Sequence, residues 1–446
     1  MACEVQDYLD RVGERIRWAR GRTYLLRELS DHIEDQRSAF EAQGLPPEEA
    51  LRRAVAEMGD PEEVGDALNA LHRPGRSWAP ALCALSAGGL GALCVLTGLS
   101  AGEPVSHLLS LALGLAAMLL LRLMDLGRVS AALGRGALPL AMALALLTYV
   151  FIEAAPIAAG GAHGGFAPLL LVLSLFSPAL FALVLLRLRG VHGFWLWALS
   201  PLMYLLAAPA AVYPSLVTAL FLGGAMLLTA SAAVCLGWFQ GPKWVGLVSL
   251  WAPTAGLTGL ALSLFPHLTR WTAFLHPQAD PAGSGWFFLL LRRMLWQGEA
   301  EAAAQYLQAT GWSGDPQFSL LTLSAQLGRP VMLLALGAVL LFGAVCLWRV
   351  RRLHSASGKL LAHSLFWPLF LQAAGSWLCN AGLSPFFMAL PFPFFSYGPW
   401  AMGVDFALLG LLLSLFRMDP LLRDGPAPVR QPFSLRALLL PPLEEG

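Results

Sequence analysis

Hydrophobic and polar positions change their pattern near residue 78. Before it, apolar residues come singly at helical spacing. Leu26, Leu29, Ile33 and Phe40 stand amid the charged run LRELSDHIEDQRSAF, which reads as the buried stripe of a solvated helix. Gly44 suits a helix end, Pro46 or Pro47 the first turn of the next, and Glu48 and Glu49 its positive end. Ala50, Leu51, Ala54, Val55 and Met58 give that helix a stripe. GDPEE, Gly59 to Glu63, repeats the stop and start ahead of Val64, Ala67, Leu68 and Leu71. A compact module of three or four helices is expected over residues 1–77, ending at HRPGR.

After residue 78 the apolar positions fuse into runs of about 17–25 residues, long enough for a helix to cross ~30 Å of hydrocarbon. Ten such runs are expected, near 80–99, 106–123, 137–155, 167–186, 194–212, 214–238, 244–265, 330–348, 360–382 and 400–416. The fold class that follows is all-α: a polytopic membrane protein with about ten transmembrane helices, preceded by a small cytosolic helical domain. The membrane domain spans 78–423 and a short tail 424–446. Alternate connections carry the basic residues, among them Arg122, Arg128 and Arg135, Arg187 and Arg189, Lys243, Arg349, Arg351 and Arg352, and Arg417 and Arg423. The positive-inside rule sets these in the cytoplasm with both termini, so the connections 266–329 and 383–399 are expected outside the cell.

Composition agrees with that division. Of the 446 residues 57% are hydrophobic and 13% charged, with a mean hydropathy of +0.62. Residues 1–77 hold 11 Lys and Arg against 16 Asp and Glu, so the net charge of +1 averages an acidic module and a basic membrane body. It gives no reason to expect nucleic acid as a partner. Six scattered cysteines without metal-ligand spacing argue against a disulfide framework or a zinc site. The first 22 residues lack an apolar stretch and do not read as a cleavable signal peptide.

Two segments carry resemblances to known families. DHIEDQRSAFEAQGLPPEEALRRAVAEMGDPEEVGDALNALHRP resembles the permease-prefix helical domain found ahead of membrane segments in Gram-positive bacterial proteins, which implies association with a cytosolic regulator. In the membrane body, Arg270 to Trp286 (RWTAFLHPQADPAGSGW) and, further on, LQAAGSWLCNAGLSPFFMALPFPFFSYG resemble two motifs of the FtsW/RodA/SpoVE (SEDS) family of cell shape, division and sporulation. The matching positions include Arg270, Phe274, Pro277, Asp280, Pro281, Gly283, Ser284 and Gly285 in the first, and Gln372, Asn380, Gly382, Pro391, Pro393, Phe394, Ser396 and Tyr397 in the second.

The resemblance implies a ten-helix fold in the bacterial plasma membrane and a role in peptidoglycan assembly. It implies as partners a polyprenyl-linked disaccharide-peptide precursor, membrane lipid and a class B penicillin-binding transpeptidase. Substrate-binding residues would then be Arg270, Gly283, Ser284, Gly285, Gln372, Asn380, Ser396 and Tyr397. Arg270 can neutralise pyrophosphate, and the GSG run can offer backbone N–H groups to phosphate oxygens. On residue chemistry alone Arg270 equally well snorkels to the interface and the glycines merely turn the chain.

The chain departs from the family where catalysis is concerned. The family's polymerising Asp sits in a His-Thr-Asp-Phe segment. Alignment on Leu327-Gly328 places Asp315, Pro316 and Gln317 there, with Phe318 retained. An amide accepts no proton near neutral pH, so Gln317 is no base. Leu180, Leu183 and Ser215 likewise replace the family's Glu, Lys and Asp. The reading is a lipid-precursor-binding protein with a degraded catalytic site. One alternative is an active peptidoglycan glycosyltransferase using Asp315 or Asp280, with Mg or Mn as a divalent cation held with help from His276, Glu299 and Glu301. Another is a flippase or transporter, against which the scarcity of intramembrane acids, essentially Glu153 and Asp405, counts. The run from Trp286, with Phe287, Leu290, Leu291, Met294 and Leu295 against Arg292 and Arg293, reads as an amphipathic helix that lies on the outer leaflet or packs on the end of the bundle.

Overall fold

A computed structural model describes residues 2–71, 78–99, 103–124, 167–212, 216–264, 268–297, 305, 315–386, 390–396 and 399–419. Contacts divide the chain into two units: Met1–Arg76 with Arg417–Arg423, and Ser77–Phe416 with Asp424–Gly446.

In the first unit four helices, α1 (Ala2–Arg15), α2 (Ala19–Ala42), α3 (Pro47–Glu57) and α4 (Pro61–Leu71), pack in the pairs α1 with α4 and α2 with α3. Val12, Ile16, Leu25, Ile33, Leu51 and Ala54 are buried in their core, with Leu26, Leu29 and Phe40 half-buried against it. The helix ends follow from local chemistry. Gly44 and Gly59 take left-handed φ of 93° and 87°, closing α2 and α3. Asp60 then accepts from the N–H groups of Glu62 and Glu63 (3.2 and 3.1 Å), satisfying two orphan donors at the start of α4.

The second unit is a helical bundle built from α5 (Ala79–Leu96), α6 (Pro104–Arg122), α7 (Ala167–Arg187), α8 (Leu199–Val212, after a 3-10 turn Gly193–Ala198), α9 (Leu216–Cys235) and α10 (Lys243–Leu264). Three short helices follow: α11 (Leu268–Leu275), α12 (Trp286–Arg292) and α13 (Ser319–Leu327). The bundle then resumes with α14 (Pro330–Arg351), α15 (Ala356–Asn380) and α16 (Pro399–Met418). Each of nine expected apolar runs is helical, and the run 137–155 lies outside the described residues. Among the described residues no β-strand forms. Six helices among the described residues are long and apolar enough to cross a membrane, and the protein is an all-α polytopic membrane protein.

Burial sorts the helices. In α16, 89% of the apolar window is buried, against 17% in α10 and 22% in α6. Helix α16 is therefore the axis of its region, whereas the other two turn leucines such as Leu108, Leu109 and Leu260 outward, as a helix bathed by lipid does. Neighbours approach α16 closely where side chains vanish: a Cβ on Gly410 would lie 2.6 Å from the Met118 carbonyl oxygen of α6.

The connection 266–329 is not an open loop where it is described. Phe287, Phe288, Leu291, Met294 and Leu295 are buried in one cluster with Phe318, Leu320, Leu321, Leu323, Met332, Ala373, Phe392 and Phe395. Of the two expectations for the segment from Trp286, packing on the end of the bundle is the one observed. Its apolar face meets protein, so it is not left over for a lipid leaflet.

Candidate functional site

The two long connections meet at one end of the bundle. Trp271 of α11 packs edge-on against Phe386 (centroids 5.6 Å apart), and Phe287 meets Phe318 at 5.7 Å. Leu291 of α12 fills the space beside Gly382, whose φ of 70° ends the turn after α15. Aromatic contact thus builds the floor on which the polar groups stand.

The first polar element is the turn 276–286. Asp280 accepts from Gly283 N–H (3.0 Å), Ser284 N–H (2.8 Å) and the Ser284 hydroxyl (3.2 Å), and its carbonyl accepts from Gly285 N–H (3.0 Å). Hydrogen bonds from the Ser284 N–H and hydroxyl, and then from Gly283, hold the carboxyl below the usual carboxylate range. A general base works best near the operating pH, so this geometry makes Asp280 the staple of a turn and a poor base. It also revises the expected phosphate cradle. The N–H groups of Gly283, Ser284 and Gly285 all donate to Asp280, leaving none aimed outward. Gly285 is sterically required, because a Cβ there would overlap the Pro277 carbonyl and lie 2.8 Å from that of Asp280. Arg270 is exposed on α11.

The second element joins the connections directly. Asp315 caps the 3-10 turn Pro316–Phe318, its carboxylate accepting from Gln317 N–H (2.9 Å). The Gln317 carbonyl accepts from Asn380 Nδ2 (2.9 Å), the Leu321 N–H donates to Asn380 Oδ1 (3.0 Å), and Asn380 Nδ2 also reaches the Ser376 carbonyl (2.8 Å). Beside them the hydroxyls of Ser319 and Ser396 lie 2.5 Å apart. Asp315, Gln317, Asn380 and Ser396 are therefore one constellation, buried at Asn380 and Ser396 and half-buried at Asp315 and Gln317. Ser319, which sequence reasoning missed, completes it; its partner stands 77 residues away and left no local signal.

Gln372 stands apart from this constellation, about 12 Å deeper by helical rise from Asn380, donating to the Pro391 carbonyl (3.1 Å) and to Asp405 (3.4 Å). Tyr397, Glu299, Glu301 and Glu153 lie outside the described residues. Among the described residues no three His, Cys, Asp or Glu side chains converge as metal ligands. Asp315 Oδ1 and both Asp280 carboxylate oxygens accept backbone N–H groups.

The fold is similar to that of a chain in a solved peptidoglycan synthase complex, described for its structural coordination of polymerization and crosslinking. The TM-score is 0.51 and the identity 21%, covering 76% of this chain and 97% of that one. No family model matches the chain, and no curated protein matches it.

Proposed function

We propose that this protein is a divergent member of the FtsW/RodA/SpoVE type, acting in peptidoglycan assembly. It binds a polyprenyl-linked disaccharide-peptide at the outer face of the plasma membrane and does not polymerise it. The observation that carries the reading is the junction of the connections: Asn380 and Ser396, from one resembling motif, hold Gln317 and Ser319, at the position where the family keeps its polymerising Asp. The likeness of fold to a chain of a peptidoglycan synthase complex supports it. In this reading the site's frame is kept while its base is replaced by an amide, which binds a hydroxyl but takes no proton from it.

On the same reading Arg270 faces the pyrophosphate, residues 1–77 form a cytosolic module for a regulator, residues 424–446 a cytosolic tail, and a class B penicillin-binding transpeptidase is the membrane partner. The test is purified protein in liposomes with fluorescent lipid-linked precursor and Mg or Mn, comparing the natural chain with Gln317→Asp and Asp315→Asn. Precursor binding without polymer in the natural chain, and polymer in Gln317→Asp, is the result expected. Polymer from the natural chain that disappears in Asp315→Asn overturns it in favour of an active glycosyltransferase, and translocated but unpolymerised lipid in favour of a flippase.

A further inference from the structure

Asp405 is 1% exposed in the most deeply buried helix of the bundle, and the proposed function gives it no part. An acid there is costly unless it is paired or neutral. Its neighbour is Gln372 of α15, whose Nε2 donates both to Asp405 Oδ2 (3.4 Å) and to the Pro391 carbonyl (3.1 Å). The Phe394 N–H also hydrogen-bonds the carboxyl. Two buried atoms are left without a partner: Asp405 Oδ1 and Gln372 Oε1. They belong to groups already joined by one hydrogen bond.

Were the carboxyl ionised, both atoms would be acceptors with nothing to accept. Rotating the amide offers no escape, because its oxygen would then face the Pro391 carbonyl. One hydrogen on Oδ1 resolves both vacant positions: the acid donates O–H to Gln372 Oε1 while the amide donates N–H to Oδ2, a reciprocal acid–amide pair. No salt bridge reaches Asp405 among the described residues. On the elements around it, His107 of α6 lies two turns from Gly114, the α6 position that touches Phe406 and the Met402 carbonyl. Arg349 of α14 sits by Phe416, eleven residues along α16. His363 of α15 stacks on Trp367, nine residues from Gln372. Cys83 and Cys94 of α5 and Cys346 of α14 carry no charge to offer, and Arg417 and Asp419 stand at the far end of α16.

We propose that Asp405 is a proton-binding site, held as the neutral acid in a reciprocal pair with Gln372, and that this pair pins the buried segment 390–396. The segment has reason to need pinning. Its backbone is non-helical among membrane-spanning helices, and Phe394 takes φ of 63°, a conformation that L side chains rarely adopt. Pro391 and Phe394, the residues tied to the pair, bracket that strained stretch. Removal of the proton breaks the O–H tie to Gln372 Oε1 and leaves a buried negative charge against an amide oxygen, with no salt bridge among the described residues to offset it.

The test is infrared spectroscopy of the full-length protein in lipid nanodiscs. A protonated-carboxyl C=O band at neutral pH that is lost in Asp405→Asn, and shifted in Gln372→Leu by loss of its hydrogen bond, is expected. Thermal stability should fall as pH is raised in the natural chain, while Asp405→Asn, whose amide keeps a donor, should not follow it. Identical acid C=O spectra for the natural chain and Asp405→Asn overturn the proposal. If Asp405→Asn does not fold, dicyclohexylcarbodiimide, which attacks protonated acids in apolar surroundings, decides on the natural chain. Labelling of Asp405 that declines with rising pH supports the proposal, and no labelling of Asp405 overturns it.

Discussion

At the scale of single residues, Asn380 does the most with the fewest atoms. Its amide serves the backbone of Gln317, Leu321 and Ser376 at once. Asn380→Leu leaves the buried Leu321 N–H without its partner, at about 1–3 kcal/mol, and the half-buried Gln317 carbonyl without its own at a smaller cost. A loss of roughly 1–4 kcal/mol is expected, visible as a lower melting temperature in detergent. Ser396→Ala should cost only about 1 kcal/mol, since the remaining Ser319 hydroxyl can rotate to another acceptor. Asp280 behaves differently. Its carboxyl is held below the ordinary range by N–H and hydroxyl donors, so its contribution is present above the unfolded-state titration and is lost as pH falls through the lower folded-state one. The turn 276–286 should stay closed at neutral pH and open only in acid. Hydrogen exchange at Gly283 and Ser284 should rise at neutral pH in Asp280→Ala. These ties were not legible in the sequence. Asn380 and Ser396 stand out there only by resemblance, and partners such as Gln317 and Ser319 lie 63 and 77 residues away.

At the scale of elements, much more could be read. Long apolar runs with polar punctuation specify helices because a backbone in hydrocarbon must satisfy its own hydrogen bonds. Nine of the runs are accordingly helices, with ends within a few residues of expectation. Pattern was silent on what an apolar stripe faces. Phe287, Leu291 and Met294 have the spacing of an interfacial helix, yet the structure buries them against Phe318 and Phe392, since periodicity does not distinguish lipid from protein. Close contact between elements is equally invisible without coordinates. A Cβ on Gly91 of α5 would overlap the Phe395 carbonyl, so Gly91→Val should displace the 390–396 segment. A cost of about 1–3 kcal/mol is expected from overpacking, with Gly89→Val, where nothing lies within 4 Å, as the unaffected control.

At the scale of the whole molecule, the uneven distribution of basic residues predicts topology, and labelling can check it. In cells, Ala282→Cys in the 276–286 turn should react with a membrane-impermeant thiol reagent, and Ala56→Cys in α3 only after permeabilisation. The reverse pattern would place the candidate site in the cytosol and remove the basis for a precursor-binding role.

One helix, α15, holds both long connections: through Asn380 it grips the segment ahead of α13, and through Gln372 it grips Pro391. Both connections are thus anchored to the same helix, so a substitution that displaces α15 is expected to raise hydrogen exchange in 315–321 and in 390–396 together rather than in one alone.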